Sequence, residues 1–356
     1  MPSRRRFLSG LAAASLMGQA SWAAVGTPRL LSCGATTDGR FLLCGLKENG
    51  EIAFSIPLPA RGHAGAAHPD RAQAVVFARR PGRFALVIDC ASGRLLKTLQ
   101  APAGRHFYGH GVFSLDGSRL FTTENAYDAG AGLVGVWDAR SGYRRLGEFS
   151  SGGIGPHEIR RMPNSDTLVV ANGGIETHPD TGRVKLNIPT MQPNLAYVSA
   201  AGEIVNRHNL GSKMRKNSIR HIDISPNGTV VFGMQWQGQK ATKLPLVGMV
   251  KPDISITLLP TPTTTGFFLD GYIGSVAFSR DGTRICASSP RGNTVAIWNA
   301  TGEFIATHRL LDVCGIAAMD QDFIVTHRVG ASRISDQNTC RLKRHDLKWD
   351  NHLVDV

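Results

Sequence analysis

The sequence predicts an all-β chain folded as one seven-bladed β-propeller of four-stranded blades, and three observations carry the prediction. Short β-branched and aromatic runs alternate with turn signals in a chain with 40 glycines and no sustained amphipathic helical period. Two stretches repeat one order of elements: strand, Asp-Gly turn, strand, loop, and a strand ending in a tryptophan turn. Related turns then recur along the chain at a spacing that allots one to each blade.

The clearest unit runs from Gly109 to Thr123 around the turn Asp116-Gly117 and closes on Val134-Gly135-Val136-Trp137-Asp138. Its twin runs from Gly274 to Cys286 around Asp281-Gly282 and closes on Val295-Ala296-Ile297-Trp298-Asn299. Related turns stand at Asp38-Gly39, Pro69-Asp70, Pro163-Asn164, Pro226-Asn227 and Asp320-Gln321. The result is seven units, starting near residues 30, 63, 109, 156, 219, 273 and 313. One blade cannot bury both of its faces, so the units must stack in a ring. Residues 173–194 and 237–265 read as loop insertions in the fourth and fifth units, being rich in Pro, Gly and Thr.

The N-terminus sets the expected compartment. Arg4-Arg5-Arg6-Phe7-Leu8, a weakly apolar stretch from Gly10 to Gly18 and the small-residue site Ser21-Trp22-Ala23 form a twin-arginine export signal. The expected division is a signal peptide over 1–23 and one propeller domain over 24–356. The apolar run is far short of the ~20 residues of a spanning helix, and no later stretch is a candidate. The mature protein is therefore expected to be soluble and periplasmic, with no membrane span.

The net charge of +13 falls to +10 once the three signal arginines are removed. The basic residues are scattered, without an aromatic-basic recognition motif, so nucleic acid is excluded as a partner and a small anionic ligand is the better use of the charge. The six cysteines are widely spaced, with no C-x-x-C pair and no haem attachment site; their pairing stays open.

Aligning the units brings out a candidate site. The residues that open them include Gly62-His63, Gly109-His110, Pro156-His157-Glu158 and Arg220-His221. Those that end the second strands include Arg79, Glu124, Asn172, Gln235, Arg291 and the pair His327-Arg328. In a propeller both sets of loops lie on one face, so two polar rings are expected to converge on one mouth of the channel. His63, His110, His157 and His221 are the expected metal ligands, because imidazole with carboxylates such as Glu124 and Glu158 suits iron, copper or zinc. The arginines among them favour an anion, which guanidinium pairs in a fork. The fourth-unit insertion, Gly173 to Asp180, leaves from the same face as a candidate lid. No catalytic residue is assigned.

Other motifs carry less. His157-Glu158 begins like a zinc-protease helix but lacks the second histidine. Gly130-Ala131-Gly132-Leu133-Val134-Gly135 has the dinucleotide spacing but feeds a strand, so it reads as a hairpin loop. There is no G-x-S-x-G nucleophile elbow.

Several longer motifs occur in order: Tyr108-Gly109-His110-Gly111, Thr123-Glu124-Asn125, Gly155-Pro156-His157-Glu158, Ala171-Asn172-Gly173-Gly174-Ile175-Glu176-Thr177-His178-Pro179, Ser218-Ile219-Arg220-His221, Gly271-Tyr272-Ile273-Gly274-Ser275 and Ser289-Pro290-Arg291-Gly292. With them the chain resembles, from about Gly34 to its end, the bacterial family called domain of unknown function 1513. The resemblance implies a twin-arginine-exported propeller of the WD40/YVTN or quinoprotein-like class. It also implies imelysin-like, iron-regulated periplasmic proteins and di-haem oxidase-like proteins as gene neighbours and hence as expected partners. Iron or copper is the metal expected from the donor residues. The expected function is non-enzymatic binding in metal acquisition, iron above all. The alternatives are an oxidoreductase or hydrolase using the same mouth, and a protein-interaction scaffold.

Overall fold

In the computed structural model, which describes residues 20–78, 84–182, 184–239, 242 and 244–356, the chain forms seven antiparallel sheets. Six are built from consecutive strands. The second blade, for example, runs Gly62–Ala67, Gln73–Ala78, Phe84–Asp89 and Arg94–Gln100 from inside to outside. Blade one differs. Leu30–Thr36, Phe41–Leu46 and Ile52–Leu58 supply three of its strands, and the C-terminal segments Leu347–Trp349 and Val354–Asp355 both pair with Leu30–Thr36 on the channel side. The ring thus closes by joining its two ends in one sheet, and the unit that begins near residue 30 lacks an inner strand of its own.

A short code fixes the turn after the inner strand. In Ser114-Leu115-Asp116-Gly117, the Ser114 hydroxyl donates to Asp116 at 2.8 Å while Asp116 accepts the Ser118 amide at 2.9 Å. Ser225 and Asn227 (2.8 Å) and Ser279 and Asp281 (2.6 Å) repeat the hydroxyl bond in blades five and six. The glycine that follows has φ of 65° at Gly117, 79° at Gly228 and 72° at Gly282, a left-handed conformation that a side chain resists.

Seven apolar clusters fill the seven spaces between blades. Phe77, Phe107 and Trp137 lie between blades two and three, and Phe121, Ile159 and Leu168 between three and four. Phe77, Phe121, Phe232 and Phe323 lie in the second strands of four blades, and each is less than 2% exposed. Burying each such ring stabilises the fold by about 1.5–3 kcal/mol.

The two insertions have different structures. Among the described residues, 173–193 form a loop that includes the helical turn Pro179–Thr181, as expected, before the strand Asn194–Val198 begins. Residues 237–265 are not simply a loop: they contain Val247–Val250 and Thr257–Leu258, the third and fourth strands of blade five, and the start of the short helix Thr263–Phe268. Gly130-Ala131-Gly132 runs into the strand Ala131–Asp138, so the glycine pattern is the hairpin that its context predicts. Cys33, Cys44, Cys90 and Cys286 are free, buried thiols, and Cys340 is free and exposed. Among the described residues no helix is long and apolar enough to cross a membrane.

Arg4, Arg5 and the rest of the expected export signal before Ala20 lie outside the described residues, as does Arg79. The signal's expected end does not hang free. Trp22 is 8% exposed, packs with Leu31 and Leu43, and donates its indole N–H to the His68 carbonyl at 2.8 Å.

Candidate functional site

The inner strands are where regular pairing breaks. Register shifts occur between Gly62 and Gly65, Phe107 and Gly111, Pro156 and Glu158, and Ile219 and His221. In blade one the break is the Asp350–Leu353 gap between the two C-terminal segments. An extra residue in one strand re-aims its side chains. At or beside each of these five breaks stands a histidine: His63, His110, His157, His221 and His352. Their rings meet in the channel. Centroids are 4.5 Å apart for His110 and His352, 4.7 Å for His63 and His352, and 4.8 Å for His110 and His157. His221 joins at 5.0 Å from His157 and 5.1 Å from His352. Blades six and seven have no histidine at the corresponding place; Ser275 and Gly315 stand there.

Local backbone makes the packing possible. Gly109 has φ of 103°, and a Cβ on it would stand 2.7 Å from the His63 ring. Only glycine lets blade three approach that imidazole so closely.

Two rings are oriented from behind. His63 Nδ1 donates to the Asp350 carboxylate at 3.0 Å, and His157 Nδ1 donates to the Arg220 carbonyl at 3.0 Å. Both acceptors lack protons to give, so each bond fixes the tautomer and leaves Nε2 with a free lone pair, the arrangement of a metal-ligating histidine. Asp350 is 1% exposed and is also held by Arg61 Nε at 3.1 Å and the Asn351 amide at 2.9 Å. In the rest of the cluster, His110 Nε2, His221 Nδ1 and His352 Nε2 are buried and have no hydrogen-bond partner among the described residues. His221 Nδ1 lies 3.4 Å from Glu158 Oε2, within ion-pair reach but not aligned as a hydrogen bond.

Burial is the main cause of the electrostatics here. It holds His110, His157 and His352 well below the usual imidazole range, and mutual repulsion among the rings adds to it at each. Burial also lowers His221, against the pull of Glu158. At Glu158 burial pushes upward, but Arg160, at 3.0 Å, and His221 outweigh it and hold the carboxyl at about 2. His110, His157, His221 and His352 are therefore held toward neutral imidazole beside an ionised Glu158, the protonation state that binds metal ions.

Three overlapping sets have ligand atoms within 4.8 Å of one another: His63, His110 and His157; His63, Asp350 and His352; His110, Glu158 and His352. Donors on a tetrahedral metal stand about 3.3 Å apart, so small side-chain rotations would close any of the sets.

The cluster divides the channel. On the outer side a cavity of about 320 Å³ is lined by His63, His157 and His221. On the inner side one of about 110 Å³ is lined by His110, His352 and Glu158. Arg220, Gln235 and Arg291 line the outer cavity, as expected of a mouth. Lys185, from the fourth-blade insertion, reaches the same wall.

The remaining expected site residues lie elsewhere. Glu124 is fully buried inside blade three, where it accepts two bonds from Arg145 (2.8 and 2.9 Å) and one from Thr122, which in turn accepts from Trp137. Asn172 is fully buried between Ser151 and Asn194 in blade four. His327 bonds to Ser332 within blade seven at 2.8 Å, and exposed Arg328 stands beside Asp312. These four serve blades or surface rather than the mouth: strand residues alternate faces, and alignment by the strand end ignores which face each takes. Sequence reasoning missed His352 and Asp350. The segment Asp350-Asn351-His352 fills the inner position of blade one from the far end of the chain, where no Asp-Gly turn follows to mark it.

Fold and channel together define a seven-bladed propeller whose axis is blocked by a layer of five histidines. The model of the family described as protein of unknown function (DUF1513) matches residues 56–356, and the chain belongs to that family. No curated protein matches. Among solved structures the chain is similar to Kuenenia stuttgartiensis hydrazine synthase, with a TM-score of 0.63 and 13% identity over 83% of this chain and 89% of that one. At that identity the likeness is one of fold.

Proposed function

We propose that the protein is an exported, periplasmic, non-enzymatic propeller that binds one first-row transition metal in its channel and serves metal acquisition, with iron as the physiological metal. The observation that carries this reading is the histidine layer itself. Five imidazoles cluster in the channel, four of them share three overlapping donor sets with the carboxylates of Asp350 and Glu158, two rings are oriented by acceptors behind them, and three buried ring nitrogens have no hydrogen-bond partner among the described residues. Burying such nitrogens costs free energy that a bound ion repays. The mixed nitrogen and oxygen donor set suits iron, copper and zinc in their divalent states. Export follows from the N-terminal arginine motif, and imelysin-like or di-haem periplasmic proteins are the partners that the family resemblance implies.

The test is metal analysis of the full chain purified from the periplasm, followed by calorimetric titration with ferrous, cupric and zinc ions. One equivalent per chain is expected, lost in His110→Ala/His352→Ala. A wild type that binds no more metal than this variant overturns the reading.

A further inference from the structure

We infer that the outer cavity is a separate recognition site for a small organic anion carrying two or three carboxylates. It stands directly on the histidine layer, yet the observations for it do not involve the metal. Lys185, Arg220 and Arg291 reach its wall from three different places in the chain: the fourth-blade insertion, the inner strand of blade five, and the loop after the second strand of blade six. Among the described residues no carboxylate lines it. Partial desolvation, then the like charges of Arg220 and Arg291, lowers the Lys185 ammonium, so both arginines repel it across the cavity. An anion of matching charge relieves that repulsion.

The wall is built to hold its cations in place. The Arg291 guanidinium lies over the Tyr272 ring, 4.4 Å from its centroid, and Asn351 bonds to the Tyr272 hydroxyl at 3.4 Å. Gly173 has no side chain where Arg220 passes: a Cβ there would meet Arg220 Nε at 3.3 Å. Lys185 is tethered to Gln237, whose amide donates to the Gln235 carbonyl at 2.8 Å.

Size and geometry select the ligand. A volume of about 320 Å³ holds a molecule of several carbons, whereas one phosphate or acetate ion leaves most of it empty. Two guanidinium groups offer planar forks to carboxylates, and the ammonium supplies a third point charge. The amides of Gln235 and Asn351 are neutral lining groups beside the cations, as a hydroxyl or carbonyl on the ligand requires.

The experiment is calorimetric titration of the purified full chain with citrate, tricarballylate, inorganic phosphate and acetate. Citrate and tricarballylate are expected to bind, with affinity falling as salt rises. Arg291→Ala and Lys185→Ala should each weaken citrate by about tenfold or more with the circular dichroism spectrum unchanged. The same titration in His110→Ala/His352→Ala, whose side chains face the inner cavity, should still show citrate binding. Retained citrate binding with lost metal binding separates this site from the metal reading. No citrate binding in the wild type, binding unaltered in Arg291→Ala, or phosphate and acetate binding as tightly as citrate would each overturn the proposal.

Discussion

Asp350 and His63 are 287 residues apart in the chain and 3.0 Å apart in space. The carboxylate, from the segment that completes blade one, sets the tautomer of an imidazole in blade two. Asp350→Asn keeps the shape but removes the charge and one acceptor direction. Metal affinity is expected to fall about 10- to 100-fold, as for other outer-sphere partners of ligating histidines, with little change in melting temperature. Zinc titration of the variant beside wild type checks it; equal affinities would remove Asp350 from the site.

Removing histidines should cost the metal and spare the fold. In His110→Ala/His157→Ala no hydrogen bond to His110 Nε2 from the described residues is lost and the repulsion among rings is relieved, but the Arg220 carbonyl gives up its bond from His157. Stability without metal should fall by no more than about 1–3 kcal/mol, the cost of that one unpaired carbonyl, while metal binding disappears. Chemical denaturation of metal-free samples measures the first and titration the second. A loss of several kcal/mol would mark these histidines as blade tethers.

Glu124 should behave in the opposite way. Glu124→Ala strands Arg145, whose partners include Glu124 and Glu148, and removes the 2.8 Å acceptor of the Thr122 hydroxyl inside blade three. Breaking a buried pair from one side costs about 3–5 kcal/mol. Metal stoichiometry should stay unchanged in whatever fraction remains folded, and denaturation with metal analysis on one preparation decides it.

The propeller was legible because its signals are local: Ser-x-Asp-Gly turns and the Trp137 and Trp298 strand ends lie within one hairpin each. Four of the five channel histidines were legible for the same reason, each sitting a fixed distance before a turn. His352 was not, since its partner strand Leu30–Thr36 lies some 320 residues earlier. Glu124 and Asn172 looked like mouth residues because strand ends were aligned without their facing. Blade interiors also use polar groups, as the Ser151–Asn172–Asn194 chain shows.

Acid should weaken the fold through His68. Its Nδ1 accepts the Asp70 and Arg71 amides at 3.1 and 3.2 Å, which requires that nitrogen to be unprotonated. Burial, then the Arg71 charge, lowers the group to about 4. Between that value and the ordinary 6.5, the unfolded chain takes up a proton that the folded one refuses. Stability is thus full above pH 6.5 and declines as pH falls toward 4, and the lowered channel histidines act in the same direction. Melting temperatures from pH 8 to pH 4 should show the decline, with a shallower slope in His68→Asn.

Export should depend on the arginine pair. Arg4→Lys with Arg5→Lys is expected to hold the precursor in the cytoplasm, because the transport machinery reads that pair. Cell fractionation gives the answer, and processed periplasmic protein would point to the general secretory route. N-terminal sequencing of the wild-type periplasmic form should also locate the cut relative to Trp22.

Because blade one is completed by residues 347–355, the histidine layer has an order in time. His63, His110, His157 and His221 are synthesised well before His352 and Asp350, and they cannot form the five-membered layer until that segment pairs with Leu30–Thr36. A nascent chain, or a product cut before residue 347, therefore has an open ring and an incomplete histidine layer at once. Whatever the layer binds should bind tightly only after the ring has closed.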